Sequence, residues 1–257
     1  MIEKILVLLK KGLKFEEDLI ENIKKLSSNR SIKVVDFDDF KKEDLAEIDL
    51  VLTIGGDGTF VKAANNVENC LILGINANPD KSEGALTSIN IEDIEKLEEL
   101  FKGNFEVIKR YRAKVTLNGI VLDSKAINEV YLGAASQFHS SRYIIKHNGN
   151  EEEHRSSGVI VSTGTGSPAW FYSAGGKIFA YDEEKLSFIV REPYYGKRIF
   201  TPKILKGELK KGEKITIESK RDFGGILAIN DETHSFNEGD VAEIELYDNP
   251  LKVVVLK

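Results

Sequence analysis

The chain has 257 residues, 41% hydrophobic and 30% charged, with a net charge of −6. That is enough apolar mass for one large domain or two modest ones, without the basic surplus of a general nucleic-acid binder. One cysteine, Cys70, excludes an internal disulfide. No apolar run reaches the about 18–20 residues of a membrane span. The opening "MIEKILVLLKK" has an apolar block but neither a basic leader nor a small-residue cleavage site. A cytoplasmic protein with no nucleic-acid or membrane partner is expected.

The early chain alternates between two periodicities. "KILVLLK" predicts a strand. "FEEDLIENIKKL" sets Phe15, Leu19, Ile20, Ile23 and Leu26 at helical spacing. "IKVVDF" predicts a second strand, "KKEDLAEI" a short helix, and "DLVLTI" a third strand that stops at "GGDGT". "FVKAANNV" then reads as a helix and "CLILGIN" as a fourth strand. "NIEDIEKLEELFKG" reads as a helix with Asn90 as N-cap and Gly103 as C-cap. This rhythm predicts an α/β domain over residues 1–104, with a mostly parallel sheet covered by helices on both faces. The glycine loop then falls at the C-terminal end of a strand, where open α/β sheets bind ligands.

From Phe105 the pattern turns to period two. "FEVIKRYRAKVTLNGIVL" alternates, with a hairpin signal in Asn118-Gly119. Further strands are predicted in "KAINEVYLGA", "RYIIKHNG", "GVIVST", "KLSFIVRE", "KITIESK", "GILAIND", "AEIELY" and "LKVVVLK", and a short helix in "SPAWFYSAGG". Residues 105–257 therefore read as a β-rich, sandwich-like domain, with a C-terminal segment able to pack back on the first domain.

Three stretches concentrate chemistry. In "GGDGT", Gly55, Gly56 and Gly58 either make a tight turn or let backbone N–H groups approach a phosphate, helped by a following helix N-terminus. Asp57 is then a carboxylate in need of a role. In "AINEVYL", Asn128 and Glu129 stand side by side in an apolar strand, on opposite faces by alternation. In "GVIVSTGTGSPAWFYSAGG", a β-branched run breaks into hydroxyls and glycines, a composition suited to a phosphate- or sugar-bearing ligand. Pro168 fits the first turn of a helix, and Trp170 either stacks on a flat ring or packs in the core.

"GGDGT", "NE" and "TGTGSPAW", in that order, resemble the NAD kinase family over roughly residues 48–245. The common bacterial pattern, "DGLIVSTPTGSTAY", has Asp where Ser157 stands, Pro at Gly164, Thr at Pro168 and Tyr at Trp170. "NANPDKSEG", "SSG", "STGTGS", "AW" and "REP" are similar to the mitochondrial-type branch. The resemblance implies an α/β domain joined to a β-sandwich-like domain, with NAD bound between them. It implies transfer of the ATP γ-phosphate to the 2′-hydroxyl of the adenosine ribose of NAD, with Mg²⁺ accompanying ATP.

On this resemblance Asp57 is the catalytic base, or alternatively a magnesium ligand. Gly55, Gly56, Gly58 and Thr59 would meet phosphates, and Lys62 would add charge there or lie solvated on its helix. Asn128 would hold the ribose or adenine, and Glu129 a ribose hydroxyl. Asn76, Thr165, Ser167, Ala169 and Trp170 fall at nucleotide-binding positions, as does Asp231 in "AINDETHSF", which otherwise reads as a turn residue. Arg198 is either a phosphate contact or an exposed loop residue, and the four histidines have no metal-ligand spacing. The family is homo-oligomeric, and its mitochondrial type implies a homodimer, which "SRYIIKHNG" and "LSFIVREPYYG" would form. A lipid or sphingoid-base kinase shares the glycine loop but lacks the other two stretches. A non-catalytic NAD sensor would have little need of Asp57.

Overall fold

The computed structural model describes residues 2–10, 16–136, 138–199 and 201–256; Phe15, assigned to the first helical pattern, lies outside them. The chain divides into two units, one reaching Lys109 and taking in the segment from Leu251, the other Arg110–Pro250.

The first unit runs β1 (Lys4–Leu9), α1 (Glu16–Leu26), β2 (Ser31–Asp36), β3 (Leu50–Gly55), α2 (Asp57–Ala64), β4 (Leu71–Asn76), β5 (Ile89–Asn90), α3 (Leu97–Lys102) and β6 (Glu106–Arg110). β1 pairs in parallel with β2 and β3, and β3 with β4. Ile5–Leu9 and Leu50–Ile54 are buried at every position, the mark of strands covered on both faces. One face packs Ile5, Val7 and Leu9 against Leu19 and Ile23 of α1 and Leu97 and Leu100 of α3. On the other, Gly74 of β4 lies against Phe60 of α2, which a Cβ would approach to 3.0 Å. The acidic first turn of α1 and its lysines near the end complement the helix dipole.

Two helical expectations are revised. "KKEDLAEI" forms only a 3₁₀ turn over Lys42–Leu45. "NIEDIEKLEELFKG" is broken into a 3₁₀ stretch, Ile91–Lys96, and α3, with Asp93 off the helical path at φ −98°, ψ 20°. Asn90 holds the N-cap position, but its side chain makes no cap bond. Gly103, at φ +90°, ends α3 in the left-handed conformation expected of a C-terminal glycine.

The second unit contains β7 (Ala113–Leu117), β8 (Ile120–Val121), β9 (Glu129–Ala134), β10 (Ser141–His147), β11 (Asn150–Ser156), β12 (Gly158–Ser162), β13 (Lys185–Arg191), β14 (Lys206–Lys210), β15 (Lys214–Ser219), β16 (Gly225–Ile229), β17 (Glu232–Ser235) and β18 (Val241–Leu246). They form two sheets, ordered β11-β10-β15-β18-β7-β8 and β14-β13-β12-β9-β16-β17. The inner faces share one core, in which Val115, Ile145, Ile217 and Ile244 meet Val130, Val161, Phe188 and Leu227, so the unit is a β-sandwich. Asn118-Gly119 and Asn148-Gly149 both take positive φ and turn their hairpins in two residues. The outer face of the second sheet is covered as well: Tyr131, Ile160 and Ile189 pack against Phe171.

"FEVIKRYRAKVTLNGIVL" is thus split, with β6 in the first sheet and β7 in the sandwich. The last strand, β19 (Leu251–Val255), returns to the first unit, pairing in parallel with β4 to give the order β2-β1-β3-β4-β19-β6. The Leu256 N–H donates to Ser88 Oγ at 2.9 Å and ties the tail down. The α/β-plus-sandwich class expected from the sequence is the fold observed.

Candidate active site

In the first unit the helix starts inside the glycine motif. Gly56 is the N-cap and Asp57 the first residue of α2, so the motif is itself a helix N-terminus, with outward-facing N–H groups. Two of its glycines have internal reasons. A Cβ on Gly55 would sit 2.2 Å from Thr59 Oγ1, and one on Gly56 2.9 Å from Ser82 Oγ. Gly58 has none: it is exposed, and a Cβ there would meet nothing within 4 Å. A helical glycine costs about 1 kcal/mol relative to alanine. What Gly58 leaves is bare backbone at the helix start, open to close approach by an anion.

The Asp57 carboxylate accepts the Leu86 N–H at 2.8 Å and the Ala85 N–H at 3.2 Å. It therefore fastens the loop after β4 to the glycine motif. Asn76 organises the same loop, its amide donating to Ser82 O at 2.9 Å and accepting from Asn78 N–H at 3.1 Å. Lys62 is turned to the end of β2, where its ammonium donates to the Phe37 carbonyl and lies 4.1 Å from that ring's centroid. The structure thus gathers Gly55, Gly56, Asp57, Gly58 and Thr59, and commits Asn76 and Lys62 to internal bonds.

In the second unit, the Asn128-Glu129 pair and the hydroxyl-rich stretch are brought together. Thr163 N–H donates to Asn128 O at 2.9 Å, and Thr163 Oγ1 donates to Ile127 O. Gly166 lies flat on this backbone; a Cβ would strike Asn128 O at 2.3 Å. From the other side, Asn230 Oδ1 accepts the Asn128 N–H at 3.1 Å, and Asn230 N–H donates to Glu129 O at 3.1 Å. The backbone of the pair is fixed, yet Glu129 Oε2 is buried with no hydrogen-bond partner among the described residues. Burial pushes its carboxyl up to about 7. A buried, unpartnered oxygen on a clamped strand end is costly to the free protein and is suited to accepting a ligand hydroxyl.

The other expected residues fall in different roles. Ser167 is fully buried, its Oγ 2.9 Å from Gly164 O and accepting the Phe179 N–H at 3.0 Å. That hydroxyl shapes the loop. Thr165 Oγ1 accepts from Arg110 Nη1 at 3.2 Å. Ala169 breaks the helical path at φ −90°, ψ −121° within the wide turn Ser167–Phe171. Asp231 is exposed in the β16–β17 turn; its neighbour Asn230 is the residue that reaches the pair.

Trp170 is 38% exposed, neither core nor free. Its ring centroid is 5.0 Å from that of Tyr131, and the Arg191 guanidinium lies 4.9 Å from its own. With Ser157, Glu192 and Ile226 these residues line a pocket of about 650 Å³, within the range of small-molecule sites. The Tyr131 hydroxyl donates to Ser157 O at 2.6 Å, and Ser157 Oγ donates to Glu192. Val130 and Leu132 point into the sandwich core, so alternation turns Glu129 and Tyr131 to the opposite, outer face of β9. That spacing was the signal for Tyr131; nothing local marked Asn230 or Arg191.

Comparison with known proteins bears on family and fold. The family model of the ATP-NAD kinase N-terminal domain matches residues 8–105. A probable NADH kinase of Oryza sativa subsp. japonica is 28% identical over 254 residues, covering 87% of this chain and 77% of that protein. An NAD kinase of Clostridium botulinum is 33% identical over 180 residues, covering 66% of this chain and 61% of that protein. The crystal structure of an NAD kinase from Archaeoglobus fulgidus in complex with ATP superposes with a TM-score of 0.73 at 23% identity, over 99% of this chain and 93% of that one, which speaks to the fold. The ordered motifs, the two-unit architecture and these relatives agree in their similarity to the NAD kinase family.

Proposed function

We propose that the chain is an ATP-dependent NAD kinase, moving the γ-phosphate of ATP to the 2′-hydroxyl of the adenosine ribose of NAD. The observation that carries this reading is the clamped Asn128-Glu129 pair with the unpartnered Glu129 Oε2. The sandwich unit holds NAD through this pair and the Trp170 pocket; the α/β unit holds the triphosphate on the bare backbone at Gly58. The O2′–Pγ bond forms as the bond from Pγ to the bridging oxygen breaks, and ADP leaves. Asp57 takes the hydroxyl proton. Its carboxylate has about four acceptor sites and spends two on backbone N–H groups, so capacity remains.

Among the described residues, no three His, Cys, Asp or Glu side chains gather into a metal cage. Mg²⁺ fits as an ion carried by the triphosphate and water, with Asp57 the carboxylate the glycine loop offers it, and it would neutralise charge on the phosphates. A lipid kinase would need an apolar acyl slot, whereas the Trp170 pocket carries Arg191, Glu192 and Ser157. Saturating NAD should raise the melting temperature while diacylglycerol leaves it unchanged; the opposite pattern would sink the NAD reading.

The reading includes a homodimer in the cytoplasm. Tyr143, Ile145, Phe188 and Val190, from the stretches expected to form the interface, are instead buried in the protein's own sandwich. Phe138, Tyr194, Tyr195, Ile199 and Phe223 are exposed on the same unit and supply an apolar surface for a second copy. Light scattering should give twice the chain mass of 28.7 kDa; a monomer at every concentration would remove the dimer. Among the described residues no helix is long and apolar enough to cross a membrane; fractionation of the source cells tests the location.

A further inference from the structure

Asn230 stands in the two-residue turn between β16 and β17 with φ +53°, a conformation that asparagine and glycine adopt more readily than most residues. The twist brings both of its polar ends to one place. Oδ1 accepts the Asn128 N–H and its own N–H donates to Glu129 O, each at 3.1 Å. A single turn residue, 102 positions along the chain, thereby holds the backbone of both members of the pair. Thr163 and Gly166 press on the same pair from the loop after β12. If the Oδ1 acceptor is lost, the Asn128 N–H loses its partner, while the Asn230 N–H still holds Glu129 O. The Asn128 end of the pair can then pivot.

We infer that Asn230 is a positioning residue for nucleotide recognition, fixing the direction in which Asn128 and Glu129 present their side chains to the ribose. The inference rests on the kinase reading above. It assigns Asn230 no contact with the reacting atoms, so its effect belongs on NAD affinity and not on the phosphate donor or the chemical step.

Two variants separate this from a purely structural role. Asn230→Gly keeps the positive φ at no steric cost and removes the side chain, its Oδ1 acceptor included. Asn230→Asp keeps an acceptor in the same place. The glycine variant should raise KM for NAD by about 3–12-fold, the worth of one hydrogen bond. Its kcat and its KM for ATP should stay within about 2-fold, well under the loss of one such bond. The aspartate variant should return KM for NAD toward wild type. Hydrogen exchange at the Asn128 amide, read without nucleotide, should speed up in the glycine variant only. Unchanged KM for NAD, an equal rise in KM for both nucleotides, failure of the aspartate rescue, or unaltered exchange would each overturn the role. Wild-type protein that makes no NADP would overturn the kinase reading itself, a result distinct from an active wild type matched by its glycine variant.

Discussion

Asp57→Asn is expected to bind NAD within a few-fold of wild type and to lose about 10²–10⁴ in kcat, the usual worth of a general base. The amide keeps the shape of the carboxylate and cannot take up the ribose proton. It also keeps only one oxygen for the two N–H groups of Ala85 and Leu86 that Asp57 now holds. One of those donors must turn to water, at a cost of about 1 kcal/mol, so the melting temperature should fall only slightly. Steady-state kinetics beside a thermal melt separates the two effects. Turnover within about 3-fold of wild type, far above the range for base removal, would deny Asp57 the base role and leave it a loop fastener.

Glu129→Gln should trade affinity for stability, and pH should reveal it. In the free protein burial raises the Glu129 carboxyl from 4.5 to about 7. Below the lower value the group is protonated whether folded or unfolded, and nothing is lost. As pH rises from 4.5 through about 7 the unfolded chain releases the proton while the folded one retains it. Wild-type stability therefore falls across that window and levels off above it. Glutamine carries no such linkage. From pH 5 to pH 8 the variant should gain roughly 2 kcal/mol on wild type, or about 5–8 °C in melting temperature. The same change removes an ionisable acceptor for a ribose hydroxyl, so KM for NAD should rise about 5–100-fold. Parallel melting curves across the pH range, with NAD affinity unchanged, would place Glu129 outside the site.

The legibility of this chain follows from where its information is local. Strands such as "KILVLLK" and "DLVLTI" announce themselves because a covered parallel strand is apolar throughout, and "KITIESK" and "AEIELY" because a sandwich strand alternates. β11 and β17 were missed because they read "NEEEHRS" and "ETHS". Both are edge strands, which carry charge to discourage pairing with other chains, and so they look like loops. β6 joins the first sheet beside β19, a partner from the far end of the chain, which no local pattern reports. At the site, residue type marked Asp57, Asn128 and Glu129, but it could not tell a hydroxyl, amide or ammonium offered to a ligand from one spent internally. Ser167, Asn76 and Lys62 are of the second kind. Asp231 drew notice in place of Asn230 because only the backbone twist at the turn shows which of the two faces the pair.

Phosphoryl transfer to one particular oxygen is read out by phosphorus NMR. Purified protein is incubated with ATP, Mg²⁺ and NAD, and the products are resolved by their phosphorus resonances. ADP and NADP are expected in equal amounts, with the new monoester on the 2′-oxygen of the adenosine ribose and none formed when NAD is omitted. ATP consumed without NADP, or a phosphate placed on any other hydroxyl, would contradict that transfer.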